Sequence, residues 1–214
     1  MKSFIRLIKA FVISLVAVYV FIHGPELYVR MRFLFDSARP ATTNTASAIE
    51  AIKPMRLPVS DIDQQPLPNE ATLTIEKIRV SVPIVFGVPT DAKTIYENLP
   101  NGVVHYSSTP KPGEGGAAVI LCHSSLYPWQ YNKYGAPCAL IDKLKPGDRF
   151  TVRYSDGRTF NFSMTDSLVF DPLTSEDNKL LEEFETSTKP TLFLVTCWPI
   201  NSTKYRKTVK AELE

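Results

Sequence analysis

The sequence is poor in histidine, cysteine and net charge, and each shortage narrows the range of functions. Its 214 residues include three histidines and three cysteines, and the formal net charge is +2. So small a charge, carried by lysines and arginines scattered along the chain, gives no reason to expect nucleic-acid binding. Three cysteines are also too few for a fold built on disulfides.

Spacings typical of metal ligands are also missing from the sequence. Cys122 and His123 are adjacent and Cys138 follows later, a spacing that matches none of the usual zinc patterns. Neighbouring residues on a strand point to opposite faces, so Cys122 and His123 would not converge on one ion. No acidic run resembles a calcium-binding loop. We therefore expect neither a metal nor another cofactor.

The N-terminal segment has the composition of a membrane anchor. An unbroken apolar run extends from Ala10 to Ile22, and no small-x-small cleavage site follows it. Three basic residues precede the run, namely Lys2, Arg6 and Lys9. Counted from Phe4, the segment is long enough as a helix to cross the hydrocarbon layer. We predict an uncleaved signal anchor and juxtamembrane segment over residues 1–35, with a buried helix as the alternative.

Residues 36–70 form a second region of different composition. Alanine, threonine and serine dominate its first half, and five prolines are spread through the region. This composition predicts an extended extracytoplasmic linker, with one short helix near Ala46–Ile52. The anchor and the linker together predict a single-pass protein of the cell membrane whose remaining domain, residues 71–214, lies outside the cytoplasm.

From residue 71 onwards the pattern is that of β structure. Short apolar runs alternate with turns rich in proline and glycine, and Asp156-Gly157 between two such runs is a strong hairpin signal. Thr174 and Asp177 resemble a capping box and predict a helix over Thr174–Glu185. Seven or eight short strands with little helix fit a closed β-barrel or a sandwich. The runs predicted as strands are Leu73–Ile84 (one or two strands), Gly102–Tyr106, Ala117–Cys122, Arg149–Tyr154, Arg158–Met164, Phe193–Thr196 and Thr208–Leu213.

Cys197 stands at the end of one of these runs. Pro199 follows almost at once and cannot continue a central strand, so we place Cys197 near the rim of a sheet. A hairpin through the next loop would bring Arg206 back towards the thiol. A buried structural cysteine is the simpler interpretation. A nearby cation, however, favours the thiolate that a nucleophile requires.

At this point the chain resembles the sortase family, the membrane-anchored cysteine transpeptidases of bacterial envelopes. The resemblance covers about Leu73 to Leu213 and rests on three parts of the sequence in the family's order. These parts are Gly113-Glu114-Gly115-Gly116 with the run leading to His123, the stretch Leu194-Val195-Thr196-Cys197, and Arg206. In two places the chain departs from the family's usual residues, with Cys122 where glycine often precedes the histidine and Phe193 where the cysteine motif often begins with threonine.

The resemblance implies an all-β fold, the closed eight-stranded sortase barrel with one or two short helices. It also implies that Cys197 is the nucleophile, His123 the acid–base partner and Arg206 the donor to the developing oxyanion. His105 corresponds to a histidine that is often present in the family without a catalytic role. His23 lies at the predicted membrane boundary. Thr196 and Trp198 are the candidate substrate-binding residues, Thr196 beside the thiol and Trp198 as a wall of an apolar groove.

The resemblance further implies the partners. A sortase cleaves a short, proline-containing sorting signal near the C-terminus of a secreted protein and transfers the acyl group to an amine of the cell wall or of a pilin. Two other functions stay open on the residues alone, an extracellular cysteine peptidase and a non-catalytic β module on a stalk. A disulfide between Cys122 and Cys138 also stays open, since an oxidising compartment would permit it but a bridge could strain the strand that leads to His123.

Overall fold

The computed structural model describes residues 6, 8–20, 31, 65–125, 132–173 and 186–214. Residues 8–20 form a helix, α1, with exposed side chains. Among the described residues, no helix is long and apolar enough to cross a membrane. Most of the predicted linker and the predicted helices at Ala46–Ile52 and Thr174–Glu185 lie outside the described residues.

Eight strands form a closed barrel, which confirms the predicted barrel and excludes the sandwich. Their order around the barrel is β1-β2-β3-β4-β7-β8-β6-β5. The pairs β2–β3 and β4–β7 are parallel, and the other pairs are antiparallel. The strands are β1 Glu70–Ile75, β2 Val80–Val85, β3 Val103–His105, β4 Ala117–Cys122, β5 Arg149–Tyr154, β6 Thr159–Phe170, β7 Thr191–Trp198 and β8 Tyr205–Leu213.

The interior of the barrel is filled by alternate residues of each strand. On β7, Leu192 and Leu194 are fully buried in the central core, whereas Phe193 and Val195 belong to a second apolar cluster on the outer face. This alternation is the period of two expected of a strand. Continued along β7, it points Thr196 and Trp198 inwards and Cys197 outwards.

Strand β6 is longer than its sequence pattern predicts. The prediction ended at Met164, but the strand continues to Phe170 and is 12 residues long. The register against β8 shifts between Met164 and Asp166, as in a β-bulge. Such an irregularity and the polar run after it break the simple alternation on which the prediction depended.

A helix that the sequence pattern did not predict, α2 (Ala92–Asn98), lies on the outer face. The side chain of Asp91 caps it by accepting a hydrogen bond from the backbone N–H of Thr94 at 2.9 Å. Ile95 packs it against a small cluster that includes Leu99 and Leu121. Seven residues are too few to show a helical stripe, and the capping aspartate was the available signal.

The residues just before β1 are already bound to the barrel. The Arg158 guanidinium donates hydrogen bonds to the carbonyls of Gln65 and Pro66, at 2.8 and 2.9 Å. The Lys111 ammonium donates to the carbonyls of Leu67 and Pro68, and the Leu67 side chain is buried in the core. The last residues of the predicted linker therefore pack as part of the domain.

Candidate active site

The carboxyl ends of β4 and β7 and the start of β8 meet at one end of the barrel, which we call the upper rim. Cys122 of β4 is the register partner of Thr196, and Cys197 is the register partner of Arg206. The start of β1 lies at the opposite end, where Ala71 pairs with Tyr154 at the end of β5. The chain therefore enters the domain at the end of the barrel remote from Cys197.

Cys197 and Arg206 are directly opposite each other in the β7–β8 ladder. Side chains of opposite residues in an antiparallel pair lie on the same face, about 5 Å apart at Cβ. Cys197 is a free, half-buried thiol. The fold thus brings together the thiol and the guanidinium that the sequence predicts to act together.

His123 reaches the same face from the parallel neighbour strand. Cys122 points into the core, so the residue after it points outwards, as Cys197 does on β7. Two hydrogen bonds fix the main chain here, from the Thr196 hydroxyl to the Cys122 carbonyl at 2.7 Å and from the Cys138 N–H to the His123 carbonyl at 2.9 Å. Burial lowers the pKa of His123 below its usual value and so favours a neutral imidazole.

Arg206 is held by its own loop. Its Nη1 donates to the carbonyl oxygens of Thr203 and Tyr205, at 2.7 and 3.1 Å. The described residues provide no carboxylate partner for this guanidinium. A guanidinium with one nitrogen anchored is a preorganised donor.

His105 occupies a different environment. It is 4% exposed, and its Nε2 lies 2.9 Å from the carbonyl oxygen of Pro110. Phe86 packs against its ring at a centroid distance of 5.2 Å. Burial lowers the pKa of His105 as well. Since its register partner is the core residue Ile120, His105 faces away from the surface that carries Cys197.

The family model for the sortase domain matches residues 73–214. The chain belongs to the sortase family. Structures of sortase C enzymes resemble it over most of the barrel. Sortase C-1 of Actinomyces oris is 26% identical with a TM-score of 0.53, over 71% of this chain and 76% of that one.

Two further structures are similar in fold. Sortase C1 of Streptococcus agalactiae is 24% identical with a TM-score of 0.53, over 67% of this chain and 66% of that one. A pilus-related sortase C of group B Streptococcus is 22% identical with a TM-score of 0.53, over 68% of this chain and 67% of that one. No curated protein sequence matches the chain significantly. The family and the fold together identify a sortase-family enzyme.

The two candidate substrate-binding residues of this sortase differ in their placement. The Thr196 side chain is 2% exposed and donates its hydroxyl hydrogen to Cys122 inside the barrel. The Thr196 hydroxyl thereby joins the main chain of β7 to that of β4, next to His123. Trp198 is half-buried against the core, with the Lys207 ammonium 4.8 Å from its ring centroid.

The disulfide that the sequence left open is present in the sortase. Cys122 and Cys138 are bonded, with their Cα atoms 6.0 Å apart. The bridge does not interrupt the strand that leads to His123, because β4 stays paired with β7 as far as Cys122. The Cys122 side chain is on the core side of β4. Cys197 is therefore the only free thiol of the chain.

Sequence reasoning missed one neighbour of the site. Tyr96 of α2 lies edge-on to the His123 imidazole, with ring centroids 5.3 Å apart and an interplanar angle of 82°. Nothing in a single tyrosine within an unpredicted helix points to His123. The contact exists because α2 packs across the outer face of β4.

Proposed function

We propose that this sortase is a membrane-anchored cysteine transpeptidase that cleaves a C-terminal sorting signal and transfers the acyl group to an amine. The observation that carries the proposal is the register pairing of Cys197 with Arg206, beside the outward-facing His123.

In the first half-reaction the neutral His123 imidazole takes the proton of the Cys197 thiol, and the sulfur attacks a backbone carbonyl of the sorting signal. Arg206 donates hydrogen bonds to the oxyanion that develops, and His123 gives a proton to the departing amine. The peptide downstream of the cleaved bond leaves, and a thioacyl enzyme remains. In the second half-reaction an acceptor amine attacks the thioester, its proton passes to His123, and the thiolate of Cys197 is released.

An amine rather than water is proposed to complete the reaction. Within the described part of the chain, no carboxylate or amide side chain forms a hydrogen bond with the His123 ring, so the orienting partner typical of cysteine peptidases is missing there. An amine that the site binds and orients can nevertheless compete with water, because a bound amine attacks the thioester without a bimolecular encounter. A cell-wall amine or a pilin lysine is the proposed acceptor, and the pilus-related sortase C among the similar structures supports the latter.

The experiment that tests this proposal supplies a proline-containing sorting-signal peptide with and without an amine. We expect slow release of the free acid from the peptide alone. With a glycine-type or lysine-type amine, turnover should rise and a ligated product should appear by mass spectrometry. If the product is always the free acid and the amine changes nothing, the protein is a peptidase.

The membrane anchor is proposed on the N-terminal sequence. Large apolar side chains of α1 are exposed, among them Phe11 at 67% and Ile13 at 68%. Such a surface indicates contact with lipid or with another protein. Strand β6 has 12 residues and runs from the end of the barrel near the linker to the upper rim, roughly 40 Å along the strand. An anchored domain would then present Cys197 away from the point of attachment.

Arg206→Lys tests the guanidinium role. The variant keeps the positive charge and should fold normally, but lysine lacks the fork of donors. We expect turnover to fall by about a hundredfold, in line with the loss of about 3 kcal/mol for one oxyanion donor. Arg153→Lys, at an exposed position on β5, is the matched control and should be neutral. An Arg206→Lys enzyme within a factor of two of wild type would refute a specific guanidinium role.

A further inference from the structure

Two hydrogen bonds fix the main chain at His123, and the described residues supply none to its side chain. The carbonyl oxygens of Cys122 and His123 both accept hydrogen bonds, from Thr196 and Cys138. Among the described residues, none forms a hydrogen bond with the imidazole itself. The rotation of the ring about its side-chain bonds therefore depends on packing.

The packing partner is Tyr96. Its ring meets the imidazole edge-on at 5.3 Å, within the range of favourable aromatic pairs. Tyr96 is 52% exposed, so burial in the core does not account for its position. Its hydroxyl has no hydrogen-bond partner among the described residues, and the contact is made by the ring.

Helix α2, which carries that ring, is fixed in position by hydrogen bonds and by apolar packing. Asp91 caps its first turn, and the Asn98 side chain donates to the Thr94 carbonyl at 2.8 Å. Ile95 and Leu99 fasten the helix to the cluster that includes Leu121, two residues before His123 on β4. The helix and the strand that precedes the imidazole are thus parts of one packed unit.

We propose that Tyr96 is a positioning residue for His123. Its ring holds the imidazole in one orientation towards Cys197 and covers one side of it against water. This inference depends on the proposed acid–base role of His123. The other titratable groups that share this surface are the Cys197 thiol from β7 and the Arg206 guanidinium from β8.

The test compares three variants in the full chain, Tyr96→Ala, Tyr96→Phe and Glu97→Ala. Glu97 is the control because it neighbours Tyr96 on the same helix and its side chain is 63% exposed. The substrate is a fluorogenic peptide chosen from a proline-containing library. We expect Tyr96→Ala to lower kcat about tenfold with KM within twofold, since loss of orientation slows proton transfer without weakening binding. Tyr96→Phe and Glu97→Ala should stay within twofold of wild type.

A second readout does not depend on turnover. Burial lowers the pKa of His123, so removal of the covering ring should admit water and raise that pKa. NMR titration of the imidazole should show the rise in Tyr96→Ala and not in Tyr96→Phe. An unchanged kcat with an unchanged His123 pKa in Tyr96→Ala would overturn the proposal. So would a raised KM at constant kcat, which would make Tyr96 a substrate contact instead.

A double variant separates this inference from the proposed function. If Tyr96 acts through His123, Tyr96→Ala should cost nothing further in the His123→Ala background. A further tenfold loss there would overturn the positioning role while leaving His123 as the acid–base residue. Full activity of His123→Ala alone would instead remove the acid–base assignment on which the inference depends.

Discussion

Cys197→Ala should reduce turnover to the background rate while leaving the barrel folded. The thiol is half-buried on the outer face of β7, and its loss removes no part of the central core. Within the described part of the chain, no other side chain at the upper rim is a thiol that could replace it, because Cys122 and Cys138 are bonded to each other. The methyl group of alanine cannot act as the nucleophile that covalent catalysis requires.

The measurement is turnover of a sorting-signal peptide, with thermal unfolding of the same preparation as the control for folding. A thioacyl adduct should be trapped by mass spectrometry in the wild type and be missing in Cys197→Ala. If the alanine variant, once purified, retains more than trace activity, Cys197 is not the nucleophile.

Alkylation separates an enzyme from a non-catalytic module. Because Cys197 is the only free thiol, iodoacetamide added to the unreduced protein labels it alone. In an enzyme the labelling rate should vary with pH in a way that depends on His123, since a neighbouring imidazole changes the fraction of thiolate. A structural cysteine should label slowly and without that dependence.

The barrel strands were predictable where their local pattern was strong. Ala117–Cys122 is β4 to the residue, because an apolar run bounded by a glycine-rich turn has few alternatives. The β5–β6 hairpin follows from Asp156-Gly157, and Gly157 adopts the positive φ of 92° that such a turn requires. Strand β6 was shortened in the prediction because the polar run Thr165-Asp166-Ser167 interrupts it at the register shift.

The site was predictable only in part. The order of residues along the chain does not say on which face of a strand each side chain lies. The sequence placed Cys197 and Arg206 across a hairpin, and the register confirms that pairing. Whether Thr196 points inwards or outwards depends on which residues of β7 face the core, and only the folded structure determines that. The contact between Tyr96 and His123 joins residues of separate elements, and no local pattern contains it.

If His123 is the acid–base residue, its removal should cause the second large loss of turnover. His123→Ala should lower turnover at least about a hundredfold, the usual scale for a positioned acid–base residue. The side chain lies on the outer face beside Cys197, so its removal should cost little stability. His105→Gln is the matched control, since it alters a buried histidine on the core side and keeps a donor for the Pro110 carbonyl.

Equal losses in His123→Ala and His105→Gln, with both proteins folded, would show that the choice between the two histidines was wrong. Far-UV circular dichroism and thermal unfolding of each preparation correct the rate for the fraction of folded protein. After that correction, His105→Gln should stay within a few-fold of wild type.

The leaving group provides a sharper test of how His123 acts. An amine leaves a tetrahedral intermediate only after it is protonated, whereas an alkoxide from an ester needs less help. If His123 is the general acid, the loss in His123→Ala should therefore shrink when the scissile amide is replaced by an ester. Burst kinetics on the two substrates would measure acylation separately from transfer to the amine. An equal loss on amide and ester would mean that His123 serves the thiol itself and not the leaving amine.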